Sequence, residues 1–461
     1  MSNSLPGKNR TNILKTWAIA AALALGLAAC GGGGGGGGPL PETPVAETPV
    51  APVTPVAPVT PVTPADPVTP AVPVVPAPVE SRFYASWTAA MQDASAGWPG
   101  SAPVAPQTFN NQTLRQVVRL SLGGDSVRIK LSNRFGKAPA TFTAVRVARS
   151  LDGGTNIDPA TDRAVTFGGQ ASLTLAAGAE ATSDAVALPV AALSKLTVSI
   201  FFGGSTAMPT VHADGRQAAY IVAGNQVSAA SIQPAGQDTR EAYYGLTAVE
   251  AFSAQPAKVV VAFGDSLTDG FGTAMGSNTR YPNQLDDRLK AAGQVRTGVV
   301  NAGISGNRWV NDFAGPNGNS RFDRDVLDVS GVTHAVLLLG INDIGFSVEP
   351  LPSQPVTAQQ IIDAMSAAIH RANARGVSVM VGTLMPFKGA GYFSEAGEIK
   401  RQAVNAWIRN QGIAAVVDFD QQLRSPSDPA ALNPIYDSGD HLHVNSAGYA
   451  AMASAVDLSR F

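Results

Sequence analysis

The sequence predicts a doubly wound α/β domain preceded by an antiparallel β-sandwich of jelly-roll type, and three observations carry that expectation. Over about residues 81–255, short alternating apolar and polar runs follow one another with no long stretch of helical period between them. From residue 256 onward, continuous apolar runs alternate with helical patterns, the texture of a parallel sheet covered on both faces. Residues 1–80 have neither texture, so the globular part starts after them.

Residues 1–30 read as an export signal. Lys8, Arg10 and Lys15 form a basic start, and Trp17 to Ala29 is an uncharged apolar run too short to span a bilayer comfortably. The run ends in Leu27-Ala28-Ala29-Cys30, which contains the one cysteine of the chain. This tetrapeptide resembles the lipobox of bacterial lipoproteins. The resemblance implies that Cys30 receives a lipid and becomes the mature N-terminus, a membrane anchor for an exported protein. The glycines that follow imply the outer membrane or cell surface. Residues 31–80 are the linker: eight glycines, Gly31 to Gly38, then a segment with 14 prolines between Pro39 and Pro78. From Pro49 to Pro76 a proline recurs at every third position, the period of a polyproline II helix. At about 3.1 Å per residue, Leu40 to Val79 would reach roughly 120 Å.

In the β segment, Val118, Leu120 and Leu122 alternate with Arg119 and Ser121, and Val127, Ile129 and Leu131 alternate with Arg128 and Lys130. With Gly123-Gly124-Asp125 between them, these read as a hairpin with one buried face. Leu196, Val198 and Ile200 repeat the pattern. Trp87, Trp98, Tyr220, Tyr243 and Tyr244 are candidates for stacking on a carbohydrate if exposed and for core packing if not.

In the α/β segment, strands are expected at Val259–Phe263, Val299–Gly303, Ala335–Leu339, Val377–Leu384 and Ala414–Phe419. Helices are expected at about Tyr281–Ala292, Ala358–Arg375 and Gly397–Gln411, with a last one from Ser446. Sites in such folds collect at the carboxyl ends of the strands. Three polar blocks fall at such positions, Gly264-Asp265-Ser266-Leu267, Asn301-Ala302-Gly303-Ile304-Ser305-Gly306-Asn307-Arg308 and Gly340-Ile341-Asn342-Asp343, and a fourth, Asp440-His441-Leu442-His443, stands just before the last expected helix.

A serine needs an adjacent base to become a nucleophile, and imidazole suits that task near neutral pH. The chain has five histidines. His212 belongs to the β segment, His334 to the start of a strand and His370 to a helix, which leaves His441 and His443. Asp440 stands three residues before His443 and can orient it within one loop, whereas Ser438 stands three before His441. His441 is therefore expected to point elsewhere. The pair His441-x-His443 with Asp437 or Asp440 also has zinc-ligand chemistry, but no His-Glu-x-x-His accompanies it. The Gly-x-Ser-x-Gly elbow of the larger α/β-hydrolases is absent.

The four blocks, in this order, resemble the SGNH subset of the GDSL hydrolases, a family of esterases, lipases and carbohydrate deacetylases. The resemblance spans about Val259 to Phe461 and implies a flavodoxin-like, three-layer SGNH hydrolase domain over residues 256–461. It implies Ser266 as nucleophile, Asp440 and His443 as its acid and base, and Ser266, Gly306 and Asn342 as oxyanion donors. It also implies an acyl-serine intermediate with no metal and no cofactor. The expected activity is that of a serine esterase on short-chain esters, O-acetyl groups on a carbohydrate among them, and the expected partners are a small-molecule or glycan ester and a membrane through the lipid anchor. Lipase-type esters and a noncatalytic glycan-binding role are the competing readings. With 32 basic against 34 acidic residues, net charge −2, no nucleic-acid partner is implied.

Overall fold

The computed structural model describes residues 82–95 and 106–461. The expected signal with Cys30, the linker and Trp98 lie outside the described residues. The described residues belong to one compact unit.

The first half is built of antiparallel strands, principally β1 (Arg82–Thr88), β2 (Gln112–Arg119), β3 (Gly124–Ser132), β4 (Ala144–Arg149), β5 (Lys195–Phe202), β6 (Thr210–Ala213), β7 (Ala219–Ala223) and β8 (Leu246–Ser253). One sheet runs β1-β8-β3, and a second contains the order β7-β2-β5-β4. Val127, Ile129, Leu131 and Val249 of the first sheet and Leu114, Val118, Val145, Leu196, Val198 and Ile200 of the second share one apolar cluster. β6 sits in a small third sheet, between Ala242–Tyr244 and Gln92–Asp93.

The expected hairpin does not form. β2 pairs with β5 and β7, whereas β3 pairs with β8 and two short strands, so the chain changes sheets between them. The apolar residues of the alternation are buried, but Ser121 on the expected wet face is buried as well, and alternation says nothing about which strand lies alongside. The crossing is held by other partners: Leu120 N–H donates to the Ser194 carbonyl and Ser121 N–H to the Ser86 carbonyl. Gly124 is required there because a Cβ would stand 2.2 Å from the Phe252 carbonyl oxygen.

The second half holds five parallel strands, β9 (Lys258–Gly264), β10 (Thr297–Gly303), β11 (Val332–Leu338), β12 (Ser378–Gly382) and β13 (Ala415–Val417), in the order β10-β9-β11-β12-β13. Its helices are α1 (Ser266–Asp269), α2 (Tyr281–Ala291), α3 (Gly318–Phe322), α4 (Ile341–Phe346), α5 (Ala358–Ala374), α6 (Glu395–Asn410), α7 (Phe419–Leu423) and α8 (Ser446–Ala455). β9 shows why its run is apolar throughout. Val259, Val261 and Phe263 join the cluster that contains Ile361, Met365 and Ile369 of α5 and Val404 of α6. Val260 and Ala262 join the cluster that contains Leu285 and Leu289 of α2 and Tyr449 and Met452 of α8. Alternate residues thus feed two cores, one on each face of the sheet. α5 begins with a reciprocal cap, in which Thr357 and Gln360 satisfy each other's backbone N–H groups.

The two halves meet through apolar and polar contacts. Tyr84, Ala85, Ala90 and Leu122 belong to the apolar cluster of the α/β half. Ala85 N–H donates to the Ser330 carbonyl at 2.9 Å, and the Thr88 hydroxyl to the Asn301 carbonyl at 2.8 Å. Of the aromatics considered for glycan stacking, Tyr243 and Tyr244 are buried, Trp87 packs edge-on against Tyr243, and Tyr220 is partly exposed. A cleft of about 270 Å³ between the halves, lined by Arg128, Lys130, Glu180 and Glu250, contains none of the four polar blocks' catalytic candidates.

Candidate active site

The first strand of the parallel sheet delivers Ser266 to the first position of α1. Asp265 caps that turn by accepting the Leu267 N–H at 3.1 Å. The strand-to-helix turn is tight: a Cβ on Gly264 would stand 2.2 Å from the Thr268 hydroxyl and 2.3 Å from the Leu338 carbonyl oxygen. Burial pushes the Asp265 carboxyl up to about 7, with the Leu267 N–H opposing and the Asp343 charge reinforcing that rise.

The Ser266 hydroxyl and His443 Nε2 are 2.8 Å apart, and His443 Nδ1 is 2.6 Å from Asp440 Oδ2. Asp440 is fixed from several sides. Its Oδ1 accepts the Leu442 and His443 N–H groups at 3.0 and 2.8 Å and the Ser438 hydroxyl at 3.0 Å. Partial burial alone would raise this carboxyl. The hydrogen bond and charge of His443, with the backbone donors, outweigh it and hold the group well below the usual carboxylate range. An ionised Asp440 takes the Nδ1–H, which leaves Nε2 as the acceptor for the serine proton. His441, in the same loop at φ 62°, turns away and pairs its Nδ1 with Asp437 Oδ2 at 2.6 Å.

The second block forms a turn at the end of β10. Asn307 N–H donates to the Ile304 carbonyl at 3.0 Å, and Gly306 occupies the turn's third position with φ 77°. That conformation suits glycine. Among the described residues, no protein acceptor meets the Gly306 or Ser266 N–H. Asn342 lies in the first turn of α4, after Gly340 at φ 132°. Its Nδ2 donates to the Asn307 carbonyl at 3.1 Å and its Oδ1 accepts the Tyr392 hydroxyl at 3.2 Å, which fixes which end of the amide faces the turn. One Nδ2 hydrogen remains for a ligand. Asp343 ties the same regions together by accepting the Trp309 and Val310 N–H groups at 2.7 and 3.0 Å.

Three supporting side chains were not found from the sequence. Tyr392, in the loop between β12 and α6, orients Asn342. Arg321, fully buried, donates to the carbonyls of Gly264 and Ala302 at 2.8 Å each and to Asn307 Oδ1 at 2.9 Å, bracing both strand ends. Burial lowers its guanidinium to about 10, with Asp325 opposing. His212, set aside because it belongs to the β segment, stands against Asp269 of α1 with Nε2 3.1 Å from Oδ1. No local signal pointed to it, since its partner is 57 residues away.

Residues 262–451 match the GDSL-like Lipase/Acylhydrolase family. No curated protein matches the chain. Solved structures similar to it include a GDSL-like lipase from Bacteroides thetaiotaomicron, at 20% identity over 43% of this chain and 85% of that one, TM-score 0.33. They also include a catalytic mutant of an acetylxylan esterase from Geobacillus stearothermophilus, at 20% identity over 43% and 91%, TM-score 0.34. A carbohydrate acetylesterase family member from Sinorhizobium meliloti aligns at 17% identity over 43% and 94%, TM-score 0.35.

Proposed function

Taking as premise that residues 262–451 are an SGNH/GDSL-type hydrolase domain, for which ester hydrolysis is the family-level activity, we propose a serine esterase working through an acyl-serine. The observation that carries this reading is the continuous chain Ser266–His443–Asp440, at 2.8 and 2.6 Å. His443 Nε2 takes the hydroxyl proton as Ser266 Oγ attacks the ester carbonyl. The tetrahedral oxyanion is received by the N–H groups of Ser266 and Gly306 and the Asn342 amide. His443 then returns the proton to the leaving alkoxide, and water, activated by the same base, releases the acid.

The acyl group in this reading is short, an acetyl group on a small alcohol or a glycan. Its support is the wall beside the oxyanion turn: Ala314 and Phe346 stand 3.1 and 4.0 Å from where a Gly306 Cβ would be, and Phe313, Phe346 and Leu351 form a compact cluster there. The β half is read as an accessory β-sandwich, and the chain as an exported lipoprotein tethered through Cys30. Release of the Cys30→Ser protein from the membrane fraction is the expected outcome for the tether, and unchanged membrane retention contradicts it.

The full-length protein should hydrolyse p-nitrophenyl acetate, with rates falling steeply from acetate to octanoate esters. Equal turnover by Ser266→Ala would remove the triad. A preference for octanoate would remove the short-acyl assignment in favour of lipase-type substrates.

A further inference from the structure

Among the contacts between the two halves, one lies immediately behind the nucleophile. His212 lies in β6 and is buried, as is Asp269 at the end of α1. His212 Nδ1 is 2.8 Å from the Ala90 carbonyl and Nε2 is 3.1 Å from Asp269 Oδ1. A carbonyl can only accept, and the second partner is a carboxylate, so this geometry is satisfied by an imidazolium that donates from both nitrogens. Burial opposes that charge, but the Asp269 carboxylate and the Ala90 carbonyl outweigh it and raise the His212 pKa.

The other oxygen of Asp269 faces the oxyanion turn. Asp269 Oδ2 accepts the Ser305 N–H at 3.2 Å and the Ser305 hydroxyl at 3.0 Å. Ser305 immediately precedes Gly306, so Asp269 anchors the Ile304–Ser305 peptide and the Ser305 side chain, one peptide before the unit that presents the Gly306 N–H. The approach is close: a Cβ on Gly303 would stand 2.4 Å from the Asp269 N atom. A few residues along, Arg216 lies over the Phe271 ring at 4.9 Å, and Phe271 packs against the His443 ring at 4.3 Å. Arg280 donates to the Gly215 carbonyl and closes this loop of the β half onto the catalytic half.

Resting on the esterase reading above, we propose that His212 of the β half is a positioning residue for ester hydrolysis, clamping the oxyanion turn through Asp269 and Ser305. It touches no reacting atom. Its effect is to keep the Gly306 N–H aimed where negative charge develops, so its loss is felt in the transition state more than in substrate binding. The β half is then a structural part of the active site, and the catalytic half is incomplete without it.

The test is kinetic and uses the full chain with p-nitrophenyl acetate. His212→Ala should lower kcat by about 30- to 100-fold with KM within about twofold, somewhat less than the loss of a whole oxyanion donor. His212→Gln, which retains a donor toward Asp269, should recover to within about fivefold of wild type, and Ser305→Ala should lower kcat by about fivefold. Because both residues act through Asp269, the His212→Ala/Ser305→Ala double variant should fall no further than about twofold below His212→Ala. Multiplicative losses, a change confined to KM, or a fall in folded fraction with unchanged kcat per folded molecule would each overturn the proposal. If His212→Ala does not fold, the same cycle with His212→Gln and Ser305→Ala decides. An inactive wild-type enzyme defeats the esterase reading itself, whereas an active wild type with an equally active His212→Ala defeats this inference alone.

Discussion

The loop 440–443 of the α/β half meets the nucleophile directly, whereas strand β6 of the β half acts on the site through Asp269 of α1, and the two differ in how they hold it. The loop 440–443 is self-contained: Asp440 orients His443 over three residues, with the intervening backbone N–H groups locking the carboxylate. The segment around His212 works across a boundary, and every contact it makes near the site is to a residue distant in sequence. The first arrangement survives wherever its loop survives. The second exists only when both halves are assembled, so accuracy at the oxyanion turn depends on how the β half is seated.

The sharpest way to break that contrast is within the first loop. His443→Ala should cost about 10⁴-fold or more in kcat, because the serine loses its base. His441→Ala, which removes only the pair with Asp437, should stay within about threefold. Reversed effects on p-nitrophenyl acetate hydrolysis would exchange the two histidines' roles.

Next in size is the side-chain donor. Asn342→Ala should lower kcat by about 10²- to 10³-fold. Tyr392→Phe keeps the amide but frees its orientation and should cost about tenfold, with KM little changed. Equal losses for the two would mean that Tyr392 contributes more than orientation.

The smallest expected effect is on stability. Asp265 holds its proton up to about pH 7 in the folded chain, against an ordinary value of 3.8. Between those values the folded state binds more protons than the unfolded state, so this group's contribution to stability falls as pH rises. Asp343, which burial pushes up to about 6, acts in the same direction. Asp265→Asn keeps an acceptor for the Leu267 N–H and removes the titration. Its urea midpoint should therefore drop less between pH 5 and pH 7.5 than that of wild type. An unchanged drop would show that Asp265 is not the group responsible.

What the sequence made legible follows the same division. The parallel strands announced themselves because burial on both faces leaves few polar positions, and observed ends lie within a few residues of those expected. Three of the polar blocks were legible because chain geometry places strand ends together at one edge, and the fourth because it directly precedes α8. Asp440 and His443 stand together as their three-residue spacing suggested, and Ser266, 177 residues from His443, was named by the resemblance rather than by spacing. His212, Arg321 and the change of sheet at Gly123-Gly124 were not legible. Each depends on a partner chosen by packing, and neither alternation nor motif spacing encodes which distant segment arrives. Tyr243 and Tyr244 make the same point, since residue type left open a choice that burial decides.

The most direct test of the central claim is the mass of the acyl-enzyme. Full-length protein mixed with p-nitrophenyl acetate and quenched in acid within milliseconds should gain one acetyl group, mapped to Ser266 by peptide digestion. The adduct should be absent from Ser266→Ala and should form far more slowly in His443→Ala. Acetylation of another residue at the rate of turnover, or turnover persisting in Ser266→Ala, would contradict the assignment.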